Sequence, residues 1–302
     1  MKEVYQNQVR LLLEVLPFIR KYKDFAVKGG TAFNLFYRDM PRLSVDIDLT
    51  FLPLQDRKET YLQIHEQLTD LKERIEKDLQ AKVITNYPLD GKGESRLIIE
   101  QSVVRVKIEP NYIIRGSVFP PTVLPVAQAV SEKFHVEVEA QCLSKADLVG
   151  GKICAALDRQ HPRDLFDIHL LLQEETWPRD YTEAFIFYLI PCPRPFHEML
   201  NPNFKSLNRS FEVEFRGMTE MQLSMQDLEI ARQALVDKIS KVLTKEDREL
   251  LLSIAIGAPQ WKLFRHSRIS EWPSVRWKML NIEKMTLAKR EEQWEKLESC
   301  LT

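Results

Sequence analysis

The sequence lacks the long apolar runs and paired cysteines that mark membrane-spanning, disulfide-rich and zinc-binding proteins. No apolar run approaches the roughly 18 residues that a helix needs to span a bilayer, so we expect no membrane segment. The first residues, MKEVYQNQVR, show neither the apolar core nor the cleavage site of a signal peptide. The 4 cysteines have no CxxC spacing, which favours a reducing cytoplasm over a disulfide framework or a zinc site.

Neither sign of charge is in excess. The chain has 43 Lys and Arg against 44 Asp and Glu, a net charge of −1, which excludes a globally basic nucleic-acid-binding protein. A local basic surface remains open. At 302 residues and 44% hydrophobic content, the chain has the length and composition of a soluble globular protein with two domains, or with one domain and a large appendage.

Glycine is scarce, yet it is paired twice. Of 9 glycines, four form the adjacent pairs Gly29-Gly30 and Gly150-Gly151. Glycine permits positive φ and close approach of the backbone to a ligand, so such pairs can serve phosphate binding. For either pair alone, a helix cap or a tight turn explains the pattern equally well.

The segment KGGTAFNLFYRDMPRLSVDIDLTF, residues 28–51, holds the most informative motif. Gly29-Gly30-Thr31 opens a short helix, where we expect Thr31 to act as the cap and free N–H groups to bind phosphate. Asp46 and Asp48 follow on a strand and point to the same face, because alternate residues of a strand share a face. Paired carboxylates beside such a turn predict a Mg²⁺–nucleotide site, and the alternative is an ordinary polar face.

Glu109 is the best-placed third carboxylate. It ends the strand VVRVKIEPNY, in which Arg105, Lys107 and Glu109 share one face. The alternative for Glu109 is a solvated edge position.

A second constellation lies in LVGGKICAALDRQHPRDLFDIHLLL, residues 148–172. Lys152 follows the second glycine pair at a predicted helix start, from which it could reach nucleotide phosphates. Asp164 and Asp167 are three residues apart and should share one helix face. The alternative is that these charges, with Arg159, pair with one another on the surface.

Periodicity along the chain predicts a mixed α/β region followed by helices. Helices are predicted at 3–21, 31–38, 55–79 and 145–172, the last broken near Pro162. Strands are predicted at Phe25–Lys28, Val45–Phe51, Lys82–Tyr87, Ser95–Gln101 and Val103–Asn111. A turn is expected at 91–94, an irregular connection at 116–127, and further helices at 220–256 and 279–299. We therefore predict an α+β fold with a mixed sheet over residues 1–177 and a mainly helical region over 178–302.

The two segments together resemble the AbiEii/AbiGii toxin family, within the DNA polymerase β-type nucleotidyltransferase superfamily. The resemblance covers about residues 20–175 and extends loosely beyond them. It implies a nucleotidyltransferase-like fold, metal binding by Asp46 and Asp48, and nucleotide binding by Gly29, Gly30 and Thr31. It also implies functional roles for Lys152, Arg159, Asp164 and Asp167. Glu109 stands at the third-acid position in place of aspartate.

The resemblance further implies the toxin of a toxin–antitoxin or phage abortive-infection system, with an antitoxin as partner. We expect an enzyme that uses Mg²⁺ or Mn²⁺ to transfer NMP from an NTP to RNA, such as the 3′ end of tRNA. Lys152 would neutralise the triphosphate, and Asp164 or Asp167 would orient a base, a ribose or Lys152 itself. The alternatives are a kinase-like toxin that phosphorylates a protein and a non-catalytic nucleotide-binding module.

The C-terminal region offers a hint about the acceptor. Residues 258–290 contain 8 Lys and Arg against 2 Glu, with Trp261, Trp272 and Trp277 between them. Cations interleaved with aromatic side chains are typical of surfaces that bind nucleic acid. The alternative is amphipathic helices with tryptophans in the core.

Overall fold

A computed structural model describes residues 2–86 and 95–302 of the chain, so the turn predicted at 91–94 lies outside the described residues. The chain divides into two compact units. The first unit comprises residues 1–148 with 217–221, and the second comprises 149–216 with 222–302. The boundary predicted at residues 177 and 178, between a catalytic and a helical part, stays a prediction.

The first unit is built on a mixed β-sheet, as predicted. Its described strands are β1 (Phe25–Lys28), β2 (Asp46–Phe51), β3 (Lys82–Asn86), β4 (Arg96–Gln101), β5 (Val104–Asn111), β6 (Thr122–Pro125) and β7 (Glu139–Cys142). Their order in the sheet is β3-β4-β5-β2-β1-β7-β6. The pairs β2–β5 and β1–β7 are parallel, and the other pairs are antiparallel. The two strands predicted at Ser95–Gln101 and Val103–Asn111 are confirmed, and they form a hairpin with Gln101 opposite Val104.

Helices of the first unit are α1 (Glu3–Ile19), α2 (Gly29–Leu35), α3 (Arg57–Leu79) and α4 (Gln128–Phe134). The longest, α3, begins where the Asp56 side chain accepts a hydrogen bond of 2.9 Å from the Glu59 N–H, satisfying a donor that the helix leaves open. Its buried Ile64, Leu68 and Leu71 recur at the helical spacing that predicted it.

The sequence prediction for residues 116–127 was wrong over 122–125, where strand β6 interrupts the expected irregular connection. Prolines at 120, 121 and 125 argued against a strand. However, β6 is the last strand of the sheet, and proline is tolerated at an edge because one side of the backbone has no partner. The short elements α4 and β7 were not predicted either.

Among described residues, the chain from 143 onward is helical, as expected. Its helices are α5 (Lys145–Asp158), α6 (Pro162–Leu171), α7 (Arg179–Leu189), α8 (Phe196–Leu200), α9 (Asn208–Ser210), α10 (Met225–Val242), α11 (Lys245–Ile256), α12 (Pro273–Glu283) and α13 (Leu287–Leu301). The break predicted near Pro162 is confirmed. The single helix expected at 279–299 is instead two, because Thr286 caps a new helix by accepting from the Lys289 N–H. Within the described part of the chain, no helix is long and apolar enough to cross a membrane.

Candidate active site

Asp46 and Asp48 lie on one face of β2, as their spacing predicted. Ile47 and Leu49, between and beyond them, are fully buried, whereas both carboxylates are partly exposed. The strand therefore divides its side chains by alternation, apolar to the core and acidic to the opposite face. Carboxylates at a solvent-accessible face can stay ionised without the penalty that a closed apolar core would impose.

Strands on both sides of β2 add charged groups to this face. Asp48 is in register with Glu109 of β5 and with Lys28 of β1. Residues in register across a sheet lie on the same face, so Glu109 is a direct neighbour of Asp48. The Glu109 carboxylate, partly exposed, pairs with the Arg96 guanidinium at 3.2 Å. Among residues 2–86 and 95–302, no three His, Cys, Asp or Glu side chains are gathered closely enough to hold a metal ion.

Gly29 has a conformation and surroundings that require glycine. Its φ is +68°, in the left-handed region that other residues enter at a cost. A Cβ at this position would also collide with the Asp48 carboxylate. The backbone turn and the second acid of the pair are thus in van der Waals contact. From the sequence, this glycine pair could be either a helix cap or part of a binding site. In the structure, Gly29 lies against Asp48, the predicted metal ligand.

Thr31 does not cap α2, contrary to the expectation. The helix begins at Gly29, and the buried Thr31 hydroxyl donates to the Asp46 carbonyl at 2.5 Å. The same oxygen lies 3.1 Å from the Ser44 hydroxyl. Thr31 therefore ties the start of α2 to the start of β2, which fixes the turn relative to the two acids.

Structure brings in three residues that the sequence reasoning missed. A Cβ on Gly30 would lie 2.7 Å from the Ser44 hydroxyl and 2.9 Å from the Arg42 guanidinium, so both side chains pack against the turn. Arg42 is 2% exposed. Lys28, opposite Asp48, is the third. The sequence did contain a signal for Arg42 and Ser44, because positions 42, 44, 46 and 48 follow one another at a spacing of two residues.

Lys152 is the centre of a buried ionic cluster in the second unit. Its ammonium lies 3.1 Å from Asp164 and 2.8 Å from Asp167, and all three side chains are at most 6% exposed. Arg159 adds two hydrogen bonds to Asp164, of 2.5 and 2.9 Å. The expectation that the two acids share a face of α6 is confirmed. The charges do pair with one another, but Lys152 and the two acids are buried, and only the Arg159 side chain, 61% exposed, reaches the surface.

Electrostatics of this cluster favour the ionised form of Asp164. Burial alone would raise the pKa of Asp164, yet the Lys152 ammonium and the Arg159 guanidinium together hold that pKa below its ordinary value. Two carboxylates and two cations balance, which is the condition under which buried charges are tolerated.

The second glycine pair is inside α5, so the expectation that Lys152 stands at a helix start was wrong. A Cβ on Gly150 would lie 2.5 to 2.8 Å from atoms of Ala184 and Phe185 on α7. Gly151 has no such neighbour within 4 Å. Gly150 therefore permits the close approach of two helices and does not shape a phosphate-binding turn.

Comparison with known families decides the identity of the chain. The sequence profile of the AbiEii nucleotidyl transferase toxin family, of type IV toxin-antitoxin systems, matches residues 10–278. The chain belongs to this family. It is therefore a nucleotidyltransferase toxin, as the resemblance implied, and the family implies an NTP substrate and an antitoxin partner.

A solved structure supports the fold of this AbiEii protein. MenT4, a nucleotidyltransferase toxin from Mycobacterium tuberculosis H37Rv, superposes with a TM-score of 0.62 over 99% of this chain and 94% of that chain. Identity is 12%, so the likeness concerns the fold alone. No curated protein matches the sequence.

The basic C-terminal segment of the AbiEii protein is divided between packing and exposure. Trp272 packs edge-on against Phe187 with ring centroids 4.5 Å apart, whereas Trp277 is 57% exposed. Lys278 donates to the carbonyls of Cys192 and Arg194, at 2.6 and 3.1 Å. The alternative of tryptophans packed in the interior therefore applies to Trp272, and nucleic-acid binding by the exposed part of the segment stays a prediction.

Proposed function

We propose that the protein transfers NMP from an NTP to the 3′ hydroxyl of an RNA, such as tRNA. The acceptor oxygen attacks the α-phosphorus of the NTP, a new P–O bond forms, and the bond to pyrophosphate breaks. The hydroxyl proton passes to solvent or a nearby carboxylate. The observation that supports this most directly is the pair of partly exposed acids, Asp46 and Asp48, on one face of β2, with the Asp48 carboxylate against Gly29.

The residues present fit Mg²⁺ or Mn²⁺. Magnesium prefers oxygen ligands and is usually held by one or two carboxylates with substrate phosphates and water, a set that Asp46 and Asp48 can provide with the NTP. Bound there, the ion would offset the charge that develops on the phosphates. Glu109 is adjacent to Asp48, so its proposed role as a third ligand requires it to leave Arg96.

Proposed nucleotide contacts come from both predicted motifs. Gly29, Gly30 and Thr31 would hold the triphosphate, because their turn lies against the acids. Lys152 and Arg159 remain proposed cations for the nucleotide. For Asp164 and Asp167, the short contacts to Lys152 support the orientation of that lysine over direct contact with a base or a ribose.

The test uses the position of the radiolabel in the NTP. Each of the four NTPs, labelled at the α-phosphate, is incubated with the protein, MgCl₂ and total tRNA. Transfer of NMP places α-label on RNA, and Asp46→Asn should reduce the rate by at least about 100-fold because it removes a metal ligand. Asp78→Asn, at an exposed carboxylate of α3, serves as the matched control and should leave the rate unchanged. Absence of α-label on any RNA, with all four NTPs and either metal, contradicts the proposal.

The same experiment separates the two alternatives. In a parallel reaction with γ-labelled NTP, a kinase-like toxin would move the γ-label to a protein, and the α-label of the first reaction would stay in solution. A non-catalytic module would bind NTP, as measured by calorimetry with and without Mg²⁺, and transfer neither label. Growth inhibition by the expressed toxin should also disappear with Asp46→Ala if transfer causes toxicity.

The role of Glu109 is tested by metal titration. If Glu109 is a ligand, Glu109→Gln should raise the Mg²⁺ concentration required for half-maximal transfer, because the amide is a weaker ligand for a hard cation. Arg96→Gln is the informative partner variant, since it frees Glu109 and should lower that concentration or leave it unchanged. An unaltered Mg²⁺ requirement in Glu109→Gln would remove this residue from the metal site.

A further inference from the structure

The outward side of α12 combines an exposed aromatic ring with cations. Trp277 is 57% exposed and Leu280 is 48% exposed, while Val275 and Ile282 on the other side of the helix are buried. The Lys284 ammonium lies 5.8 Å from the centre of the Trp277 ring. Arg276, which directly precedes Trp277 in the chain, is also exposed. We call Arg276, Trp277, Leu280 and Lys284 the α12 face.

Other cations of the basic segment are used inside the second unit. Arg265 pairs with Asp180 and Glu183, and Arg268 pairs with Glu271. Lys278 and Arg290 donate to backbone carbonyls. Pairing therefore reduces the net positive charge of residues 258–290. The exposed Lys and Arg side chains of this segment include both cations of the α12 face, Arg276 and Lys284. One exposed acid, Glu283, lies at the edge of this face, one turn beyond Leu280 and next to Lys284 in the chain.

We propose that the α12 face binds the RNA acceptor, with an unpaired base stacked on Trp277 and adjacent phosphates bound by Lys284 and Arg276. This rests on the proposed function, since it names a contact surface for that acceptor. An indole offers a flat apolar surface to any base, and each stacked base contributes measurably to single-stranded RNA affinity. A cation near the ring meets the phosphate that accompanies a stacked base.

Charge argues against a second copy of this chain on the same face. In a two-fold symmetric contact, Arg276 and Lys284 of one copy would face the same cations of the other, and like charges oppose such an interface. An acidic protein would also match the charge. If the α12 face bound such a protein and not RNA, Trp277→Ala would leave tRNA affinity unchanged.

The experiment measures RNA affinity directly, without NTP. Fluorescein-labelled tRNA and a blunt RNA duplex of similar length are titrated with the full chain, and anisotropy is recorded at several salt concentrations. Trp277→Ala should weaken tRNA binding about 10- to 100-fold, and Trp277→Phe should retain most of the affinity because a ring remains. The control Ile230→Ala removes an equally exposed apolar side chain from α10 and should leave affinity within twofold.

Charge is tested by a second pair of variants. Arg276→Gln with Lys284→Gln should reduce the salt dependence of tRNA binding by about 1.4 in the slope of log K against log salt, for two lost phosphate contacts at about 0.7 each. Lys241→Gln with Lys245→Gln, two exposed cations of the same unit, should leave the slope unchanged. In the transfer assay, Trp277→Ala should raise the KM for tRNA and leave the KM for NTP unaltered.

The outcomes separate this inference from the proposed function. Equal tRNA affinity of Trp277→Ala and the wild type, while the wild type labels RNA, overturns the α12 face and leaves RNA transfer intact. If Trp277→Ala weakens binding to the blunt duplex as much as binding to tRNA, the proposal of a stacked unpaired base is overturned. It is also overturned if Trp277→Ala changes the molar mass of the protein measured by light scattering without RNA, since the face would then join two copies of the chain. Absence of α-label on RNA from the wild type refutes the proposed function, whatever the affinities. Circular dichroism of each variant excludes loss of folding as the cause.

Discussion

Lys152→Met tests whether the buried ionic cluster of the second unit is as strongly coupled as its geometry implies. The Lys152 ammonium is within 3.1 Å of Asp164 and 2.8 Å of Asp167, and the residue is 5% exposed. Methionine keeps much of the side-chain volume and removes the charge. Because two buried carboxylates would then lose the ammonium that they share, we expect a loss of about 3–5 kcal/mol in the free energy of unfolding at pH 7, as for other broken buried ion pairs.

The assay is urea unfolding of the full chain, followed by far-ultraviolet circular dichroism. The control is Lys245→Met, at an ion pair of 3.7 Å whose lysine side chain is 84% exposed, and it should leave the urea midpoint unchanged. Lys152→Met combined with Asp167→Asn should recover part of the loss, because the uncompensated charge is removed. A loss below about 1 kcal/mol in Lys152→Met would refute the cluster as a coupled charge network.

The dependence on pH distinguishes lost charge from lost packing. In the wild type the pKa of Asp164 lies below its ordinary value of 3.8. The contribution of ionised Asp164 to the free energy of unfolding is therefore complete above about pH 5 and disappears as the pH falls below 3.8. Without Lys152, burial raises that pKa, and the acid can accept a proton at mildly acidic pH. The difference between wild type and variant should therefore shrink from pH 8 to pH 5. A difference that stays constant would point to packing alone.

Three further predictions concern the glycines and the turn. Gly29→Ala should lower the free energy of unfolding by about 1–2 kcal/mol and abolish transfer, because alanine is strained at positive φ and its Cβ would displace the Asp48 carboxylate. The control Gly151→Ala, with open space around it, should be neutral or stabilising in thermal unfolding. Gly150→Ala should cost about 1–3 kcal/mol by forcing α5 away from α7, which a lowered Tm would report and an unchanged Tm would contradict. Thr31→Val removes the hydrogen bond to the Asp46 carbonyl and should lower the free energy of unfolding by about 1–2 kcal/mol and reduce transfer activity. Thr31→Ser keeps the hydroxyl and should retain both stability and activity. Equal behaviour of the two variants would contradict the role of that bond.

Local sequence patterns were sufficient for the elements of the candidate site. The alternation that places Asp46 and Asp48 on one face, the helical stripe of α3 and the break at Pro162 all depend on residues close in the chain, so spacing alone predicts them. The family also followed from short motifs. Edge strand β6 was missed because its prolines suppress the local signal, and only its place at the end of the sheet makes them acceptable.

Tertiary structure decided which of the predicted residues touch. Parallel pairing of β2 with β5 puts Glu109 beside Asp48, and no local pattern reveals that register across 61 residues of chain. Folding also determines that Lys152 is enclosed by two acids and that Gly150 serves helix packing. The sequence by itself determined the chemical groups and their faces, because those depend on backbone periodicity. Their partners and exposure, including the contrast between Trp272, which packs on Phe187, and the exposed Trp277, depend on long-range packing that only the folded chain supplies.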